Sequence, residues 1–333
     1  TQIVWAAFST VGARLPDEDR RDRVLSAFGP TLVFTLLTVW VAQQIVGFAL
    51  IWWGLGGVDG VDSFADDLYY SGVVFFTVGF GEVVPASDAP RFGALVEAFA
   101  GVLSTALVIG YLPSLYGAYS ERERKLMTLD DGSEERITPT NLVKAWAPDA
   151  DVNALIAKFE SWEDWVAGVI ETHTTFPMLR YFRSHHHGQN WVTALGLVSD
   201  AALHCQMIKG ANNRAPYFML RRSIRLFQEL TADDEMHVAR YRQELDQAYA
   251  QADGQLFVEL YDQLTAHGFE LVPFEEARQT MADFRREFDA RMEFLIDTLH
   301  APRGFWGHSI RSGLVPISTE QVVMDRDEAS PSH

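Results

Sequence analysis

The stretch that decides the fold of this chain is Thr77-Val78-Gly79-Phe80-Gly81, which Glu82 follows directly. Glycine adopts left-handed backbone conformations without the clash that a Cβ atom causes. Glycines at every second position allow left- and right-handed residues to alternate, so that successive carbonyl groups point to the same side. Val78 and Phe80 would then face outward and pack the strand in place. Because a glycine-aromatic-glycine sequence also occurs in ordinary turns, the flanking sequence has to decide between the two interpretations.

The composition divides the chain into an apolar first third and a polar, charged remainder. The mean hydropathy of the whole chain is −0.03, so the average hides this division. The formal net charge is −18, from 27 basic and 45 acidic side chains, which argues against a nucleic-acid partner. Cys205 is the single cysteine, so the chain forms no intramolecular disulfide, as is usual in cytosolic and membrane proteins.

Two long apolar segments flank the glycine stretch. No charged residue lies between positions 30 and 53, and a helix of this length crosses a hydrocarbon core of about 30 Å. Trp52 and Trp53 stand at its end, where indole rings favour the headgroup layer. The second segment covers residues 91–119. It begins at Arg91, and Glu97 is its one other charged residue. These segments predict two transmembrane helices.

Residues 63–76 form a shorter predicted helix that leads straight into the glycine stretch. Ser63 suits the N-cap, because its hydroxyl can accept a hydrogen bond from the first turn. The helix is too short to cross a bilayer. A segment that enters the membrane and returns is tolerated only where protein encloses it or where it faces an aqueous cavity. The C-terminal end of its dipole, near Phe76, would direct negative charge towards the glycine stretch.

The chain resembles the two-transmembrane-helix pore-loop potassium channels of bacteria in the order of its elements. These are a helix, a re-entrant helix, Thr-Val-Gly-Phe-Gly, an acidic residue and a second helix. The resemblance covers residues 30–120. It implies an all-α membrane protein that forms a homotetramer around a pore and conducts K⁺ passively, without catalysing a reaction and without an organic cofactor. Residues 77–81 would be the selectivity filter, whose carbonyl groups replace the hydration shell of the ion. The implied K⁺ ligands are Thr77, Val78, Gly79 and Phe80.

The same resemblance assigns roles to residues around the filter. At the outer mouth, carboxylates that concentrate cations would come from Glu82 and Asp88. Filter support would come from Tyr69 and Tyr70. Glu97, in the outer part of the second helix, is a further candidate for this role. One stripe of the second helix, set by i, i+4 spacing, would line the cavity and gate: Gly101, Thr105, Ile109 and Leu112. Pro113 would kink the helix at the level of the gate. The alternative for this last set is packing against the first helix. Val73 and Phe76 depart from the family pattern, so inactivation behaviour is not carried over.

Glu97 is unusual, because an ionisable side chain in a membrane helix is costly and marks a partner or a function. One hypothesis is a hydrogen bond to the pore helix that steadies the filter. The alternative is a side chain that extends to the outer membrane interface.

The distribution of basic residues predicts the orientation in the plasma membrane. Arginines precede the first helix and basic residues follow the second, whereas the segment between the two helices carries only Arg91. By the positive-inside rule, both flanks of this multi-pass unit and the C-terminal part are cytoplasmic. The predicted domains are an N-terminal cytoplasmic segment or the end of an earlier membrane helix (1–28), a pore domain (29–120), a helical cytoplasmic domain (126–303) and a flexible tail (304–333).

The cytoplasmic part is helical in pattern, with helices predicted at 139–147, 150–172, 189–209, 215–230, 232–252, 254–267 and 274–300. No nucleotide-binding glycine motif or phosphate loop is present, so a regulatory ligand stays unidentified. The helix at 191–208 is apolar, but Asp200 and His204 favour a buried core helix over a third membrane span. His185–His187, together with His204 and Cys205, allow a structural or solvated role, pH sensing or metal binding.

Three functions are compatible with this sequence. The first is a K⁺-selective channel regulated by its helical domain. The second is a weakly selective or non-conducting homologue. The third is a membrane-anchored helical sensor or enzyme that works through residues 139–300, where no recognisable nucleophile or acid-base pair is found.

Overall fold

The computed structural model describes residues 5, 8, 10, 24–56, 58–129, 137–184, 190–251 and 255–301. The chain divides into two compact units, one up to Ser120 and one from Glu121 onwards. Most of the predicted segment 1–28, the histidines His185–His187 and the predicted tail 304–333 lie outside the described residues.

The described residues of the first unit form three helices and one short antiparallel pair of strands. The helices are α1 (Phe28–Leu55), α2 (Phe64–Phe75) and α3 (Asp88–Leu126), and the paired strands are β1 (Val58–Asp59) and β2 (Val84–Pro85). The apolar helical segments Val24–Leu55 and Asp88–Leu126 are long enough to cross a membrane. The predicted fold class, an all-α membrane protein with two long apolar helices, is confirmed.

Local sequence signals fix both ends of α2. At its start, the Ser63 hydroxyl accepts a hydrogen bond from the Asp66 backbone amide, and the Asp66 carboxylate accepts one from the Ser63 amide at 2.9 Å. This reciprocal pair satisfies amides that have no partner inside the helix. At its end, the Thr77 amide donates to the Val74 carbonyl at 2.9 Å, and the chain then leaves the helical path.

The second unit is helical over its described residues, apart from short turns and one isolated β-bridge between Ile208 and Leu271. Its helices are α4 (Pro139–Trp146), α5 (Val152–Thr175), α6 (Trp191–Cys205), α7 (Ala215–Leu230), α8 (Glu235–Gln251), α9 (Gln255–Ala266) and α10 (Phe274–Leu299). Each of the seven predicted cytoplasmic helices overlaps one of them. Three 3₁₀ turns connect these helices, at Pro148–Ala150, Pro177–Tyr181 and Ala232–Asp234.

Helix α6 is the core of the second unit. All of its residues are buried, and it packs against α4, α7 and α10. The expectation of a buried core helix at this position is confirmed. The core also contains charged groups: the Arg285 guanidinium lies 3.5 Å from the Asp200 carboxylate and 3.3 Å from the Asp289 carboxylate.

The last turns of α3 are held in the second unit by Arg122. Its guanidinium is buried and donates to the carbonyl oxygens of Leu179, at 2.8 Å, and Phe182, at 2.7 Å. The guanidinium also lies over the Trp191 ring, 5.3 Å from its centroid. The Trp165 indole donates to the Arg122 carbonyl at 3.2 Å. Side-chain and backbone groups of one residue therefore fix the end of α3 to the helices that follow.

Candidate functional site

The backbone φ angle alternates in sign along residues 77–81. Thr77, Gly79 and Gly81 have φ angles of 55°, 61° and 88°, in the left-handed region, whereas Val78 and Phe80 do not. The glycine spacing predicted this conformation at positions 79 and 81, but Thr77 was not expected to share it. A positive φ costs a non-glycine residue about 1–3 kcal/mol and persists where its surroundings enforce it. At Thr77, the hydrogen bond from its backbone N–H to the Val74 carbonyl oxygen is one such restraint.

The side chains of the predicted filter are not packed within one chain. Val78 is 50% exposed and Phe80 is 69% exposed. The helices of the same chain do not cover them, so the packing of the strand by these side chains stays a prediction that depends on other copies of the chain. The addition of a Cβ atom at Gly79 or Gly81 would meet no other atom, so these glycines are required by their backbone conformation and not by crowding.

Glu97 lies at the junction of the three helices. Its side chain is fully buried, at 0% exposure. The Trp52 indole of α1 donates to Glu97 Oε2 at 2.8 Å, and the Ser71 hydroxyl of α2 is hydrogen-bonded to Glu97 Oε1. The hypothesised hydrogen bond to the pore helix is therefore present, and the alternative of a side chain that extends to the interface is wrong. Its effect on the filter stays a prediction.

Trp52 differs from its predicted role. The sequence placed it with Trp53 at the headgroup layer, but Trp52 is only 2% exposed whereas Trp53 is 56% exposed. Its ring is also in edge-on contact with Tyr70, with 5.6 Å between ring centroids. Trp52 and Ser71 are site residues that the sequence analysis missed. The available signal was that a buried carboxyl group requires donors, which an indole and a hydroxyl on the neighbouring helices can supply.

Tyr69 links α2 to Glu82, the residue directly after the predicted filter. Its hydroxyl donates to Glu82 Oε1 at 2.5 Å across the loop that follows α2. Tyr70 has a different environment, because it is buried beside Trp52. The two tyrosines that were predicted together as filter support thus contact different parts of the unit.

Gly101 of α3 lies in close contact with the end of α2. An added Cβ atom would lie 1.9 Å from the carbonyl oxygen of Phe75, the last residue of α2. Gly101 is buried at this contact, so its expected place on an open cavity-lining stripe is corrected to a packing position. Thr105 and Ile109 of the same predicted stripe are exposed, and Leu112 is half-buried. Helix α3 continues through Pro113 without interruption.

Asp88 begins α3 and is fully exposed. Its carboxylate lies 3.6 Å from the Arg91 guanidinium, three residues later. A carboxylate at this position also favours the positive end of the helix dipole.

Potential metal ligands were predicted among histidine and cysteine side chains as well. Within the residues that the structure describes, no group of three His, Cys, Asp or Glu side chains could hold a metal ion. His204 and Cys205 are buried in α6. Because His185–His187 lie outside the described residues, their role stays open.

A family comparison covers the segment that contains the predicted pore residues. Residues 31–116 match a family model described as "Ion channel". This segment is similar to that ion-channel family. The resemblance to two-helix pore-loop channels is therefore confirmed at the level of the family, over about one quarter of the chain.

A second comparison extends to part of the helical region. An uncharacterized membrane protein of Bacillus subtilis (strain 168), YdjJ, is 24% identical over 190 residues, which are 54% of this chain and 53% of that protein. The chain thus spans about half the length of this relative. No solved structure shows a significant match to the chain.

Proposed function

We propose that this ion-channel protein conducts K⁺ selectively and passively through a pore formed by four copies of the chain, and that it is not an enzyme. The observation that carries the proposal is the alternating backbone hand at Thr77, Gly79 and Gly81, directly after a helix that ends at Phe75. Such a backbone can direct successive carbonyl groups towards one axis. The ligands of K⁺, which is the transported ion, are then the carbonyl oxygens of residues 77–80.

The assembly into a homotetramer follows from the number of filter strands per chain. One chain supplies one strand, and a cage of carbonyl groups around an ion needs several. Val78 and Phe80 are apolar and exposed in the single chain, and so is Phe76. Neighbouring copies would cover these side chains and remove their apolar surface from water or lipid.

The ends of the pore follow from the positions of charged and apolar residues. Glu82 and Asp88 provide acidic rings at the outer mouth, which raise the local cation concentration. Thr105 and Ile109 line the cavity on the opposite side of the filter, and the apolar ring at Leu112 closes it by dewetting. Both flanks and the helical domain are cytoplasmic in a plasma membrane, in accord with the basic residues on those flanks.

The helical domain regulates the pore in this proposal through the continuous helix α3. The support is the set of bonds that fixes Arg122 to the backbone of Leu179 and Phe182 and to the Trp191 ring. A change in the position of these groups would be transmitted to α3, because the helix is uninterrupted from Asp88 to Leu126.

The test is ion flux through the purified protein in proteoliposomes. We expect K⁺ uptake driven by a K⁺ gradient, with no comparable uptake of Na⁺. Gly79→Ala should abolish it, because alanine is disfavoured at a φ of 61°. Gly47→Ala is the matched control, since this glycine of α1 has no atom near an added Cβ and no positive φ. Equal K⁺ and Na⁺ uptake by the wild type would favour the weakly selective alternative instead.

A further inference from the structure

The Ser71 hydroxyl oxygen lies within hydrogen-bond distance of two other oxygen atoms. One is the backbone carbonyl oxygen of Ile45 in α1, at 2.8 Å, and the other is Glu97 Oε1 in α3. The second carboxyl oxygen, Glu97 Oε2, accepts a hydrogen bond from the Trp52 indole at 2.8 Å. Four residues from three helices thus form one connected group, which is buried at Trp52, Ser71 and Glu97.

The number of protons in this group depends on the state of Glu97. A serine hydroxyl carries one proton, a carbonyl carries none, and an ionised carboxylate carries none. If Glu97 were ionised, Ser71 could satisfy only one of its two contacts, and the other would bring two oxygen lone pairs together. If Glu97 is a carboxylic acid, its O–H donates to Ser71 Oγ, and the Ser71 O–H donates to Ile45. Every contact then contains one proton.

The charges around Glu97 favour the same state. Residues 24–90, which include all of α1 and α2, contain no Lys, Arg or His. Helix α1 has no titratable side chain, whereas α2 presents Tyr70 and the buried Asp67. Arg91, on α3 itself, is exposed and lies next to Asp88. The described residues of this unit therefore place no cation beside a fully buried carboxyl group, and an unpaired buried charge is strongly unfavourable.

We propose that Glu97 is a neutral carboxylic acid that donates a hydrogen bond to Ser71 and thereby joins α1, α2 and α3 behind the filter. It acts as a positioning residue, because it contacts the helix that ends at the filter and not the ion. The consequence for ion conduction rests on the proposed channel function, whereas the protonation state does not.

The neutral state predicts which substitutions the site accepts. In Glu97→Gln, the amide NH₂ can donate to Ser71 while the amide oxygen accepts from Trp52, so the whole chain of bonds is kept. In Glu97→Ala, both partners lose their contact. If Glu97 were ionised, Glu97→Gln would instead disrupt the group, because the glutamine NH₂ cannot accept a hydrogen bond from the Ser71 hydroxyl.

The experiment combines infrared spectroscopy with thermal melting of the full-length protein in detergent. Near neutral pH, we expect the C=O stretching band of a protonated carboxyl group in the difference between wild type and Glu97→Gln. We also expect Glu97→Gln to melt within a degree or two of the wild type, and Glu97→Ala to melt several degrees lower.

Two results would overturn the proposal. One is a carboxyl band that appears only on acidification, and the other is a Glu97→Gln protein as unstable as Glu97→Ala or unable to fold. If the wild-type protein showed the carboxyl band but no ion flux, the proposed channel function would be wrong and the protonation state of Glu97 would still stand. Failure of one proposal can therefore be told apart from failure of the other.

Discussion

Gly101 approaches the carbonyl oxygen of Phe75 so closely that a Cβ atom on Gly101 would stand 1.9 Å from it. Because Phe75 ends the pore helix and Thr77 begins the predicted filter, this contact sets the distance between α3 and the base of the filter. The bonds of Glu97 and the Tyr69–Glu82 pair hold the same helix at other points. We therefore expect small changes at these contacts to affect both stability and conduction.

Gly101→Ala should destabilise the protein by about 1–3 kcal/mol, the usual cost of forcing an extra group into a packed contact. The obstacle is a backbone oxygen, which cannot rotate away as a side chain can. Thermal melting and K⁺ flux are the measurements. Gly110→Ala in the same helix is the control, because nothing lies within 4 Å of an added Cβ there. A Gly101→Ala protein with unchanged melting and flux would contradict the packing.

Trp52→Phe should cost about 1–3 kcal/mol, because Glu97 Oε2 loses its donor inside the protein. Thermal melting measures this loss. The control is Trp53→Phe, which removes an exposed indole from the neighbouring position. Equal effects of the two substitutions would show that the hydrogen bond to Glu97 contributes nothing.

Tyr69→Phe removes the hydrogen bond to Glu82 and leaves the aromatic ring in place. We expect a lower preference for K⁺ over Na⁺, because this hydrogen bond holds the residue that follows the predicted filter. Single-channel recording of conductance and selectivity is the measurement. Tyr116→Phe, at an exposed tyrosine of α3, should change neither. Unaltered filter behaviour in Tyr69→Phe would remove Tyr69 from the supporting residues.

Arg122→Met should weaken the attachment of α3 to the helical domain. The buried guanidinium satisfies two backbone carbonyl groups, which methionine leaves without this donor. A destabilisation of about 2–4 kcal/mol follows from the loss of several charged hydrogen bonds. Thermal melting of the full chain and the open probability of the channel test this. Arg124→Met is the control, because Arg124 is largely exposed.

Acidification should destabilise the helical domain through His173. Burial, and then the neighbouring Arg122 guanidinium, lower the pKa of His173 from 6.5 to about 3. Between these values the unfolded chain binds a proton that the folded chain does not. Stability therefore falls as the pH falls, by up to about 1.4 kcal/mol per pH unit. His173→Gln should flatten the dependence of melting temperature on pH.

Other buried groups also change the dependence of stability on pH, so the contribution of His173 has to be measured as a difference between protein variants. The pKa of His204 is lowered by burial to about 3 and gives the same sign. Burial raises the pKa of Asp200 from 3.8 to about 7, which gives the opposite sign, since stability is lost as the pH rises through that range. The comparison is therefore between wild type, His173→Gln and the exposed control His237→Gln. Parallel pH profiles for all three would contradict the prediction.

The sequence predicted the helices well because the signals for helices are local. Ser63 and Asp151 cap α2 and α5 with their own side chains, and apolar residues recur at helical spacing between such caps. The alternation of backbone hand at Gly79 and Gly81 is equally local, because it depends on the absence of a Cβ atom.

The sequence did not predict which neighbour each residue contacts. Hydropathy placed Trp52 near the membrane interface, but it cannot show that the indole faces a carboxyl group 45 positions later. Helical spacing put Gly101 on a stripe with Thr105 and Ile109, but spacing identifies a face and not its partner. In each of these cases, the packing of separate helices decides the outcome.

The most direct test of the account is the reversal potential of the purified channel in a planar bilayer with K⁺ on one side and Na⁺ on the other. If the carbonyl groups of residues 77–80 replace the hydration shell of K⁺, the reversal potential will lie far from zero, on the side that marks K⁺ as the permeant ion. A reversal potential at zero would contradict selective conduction by this filter.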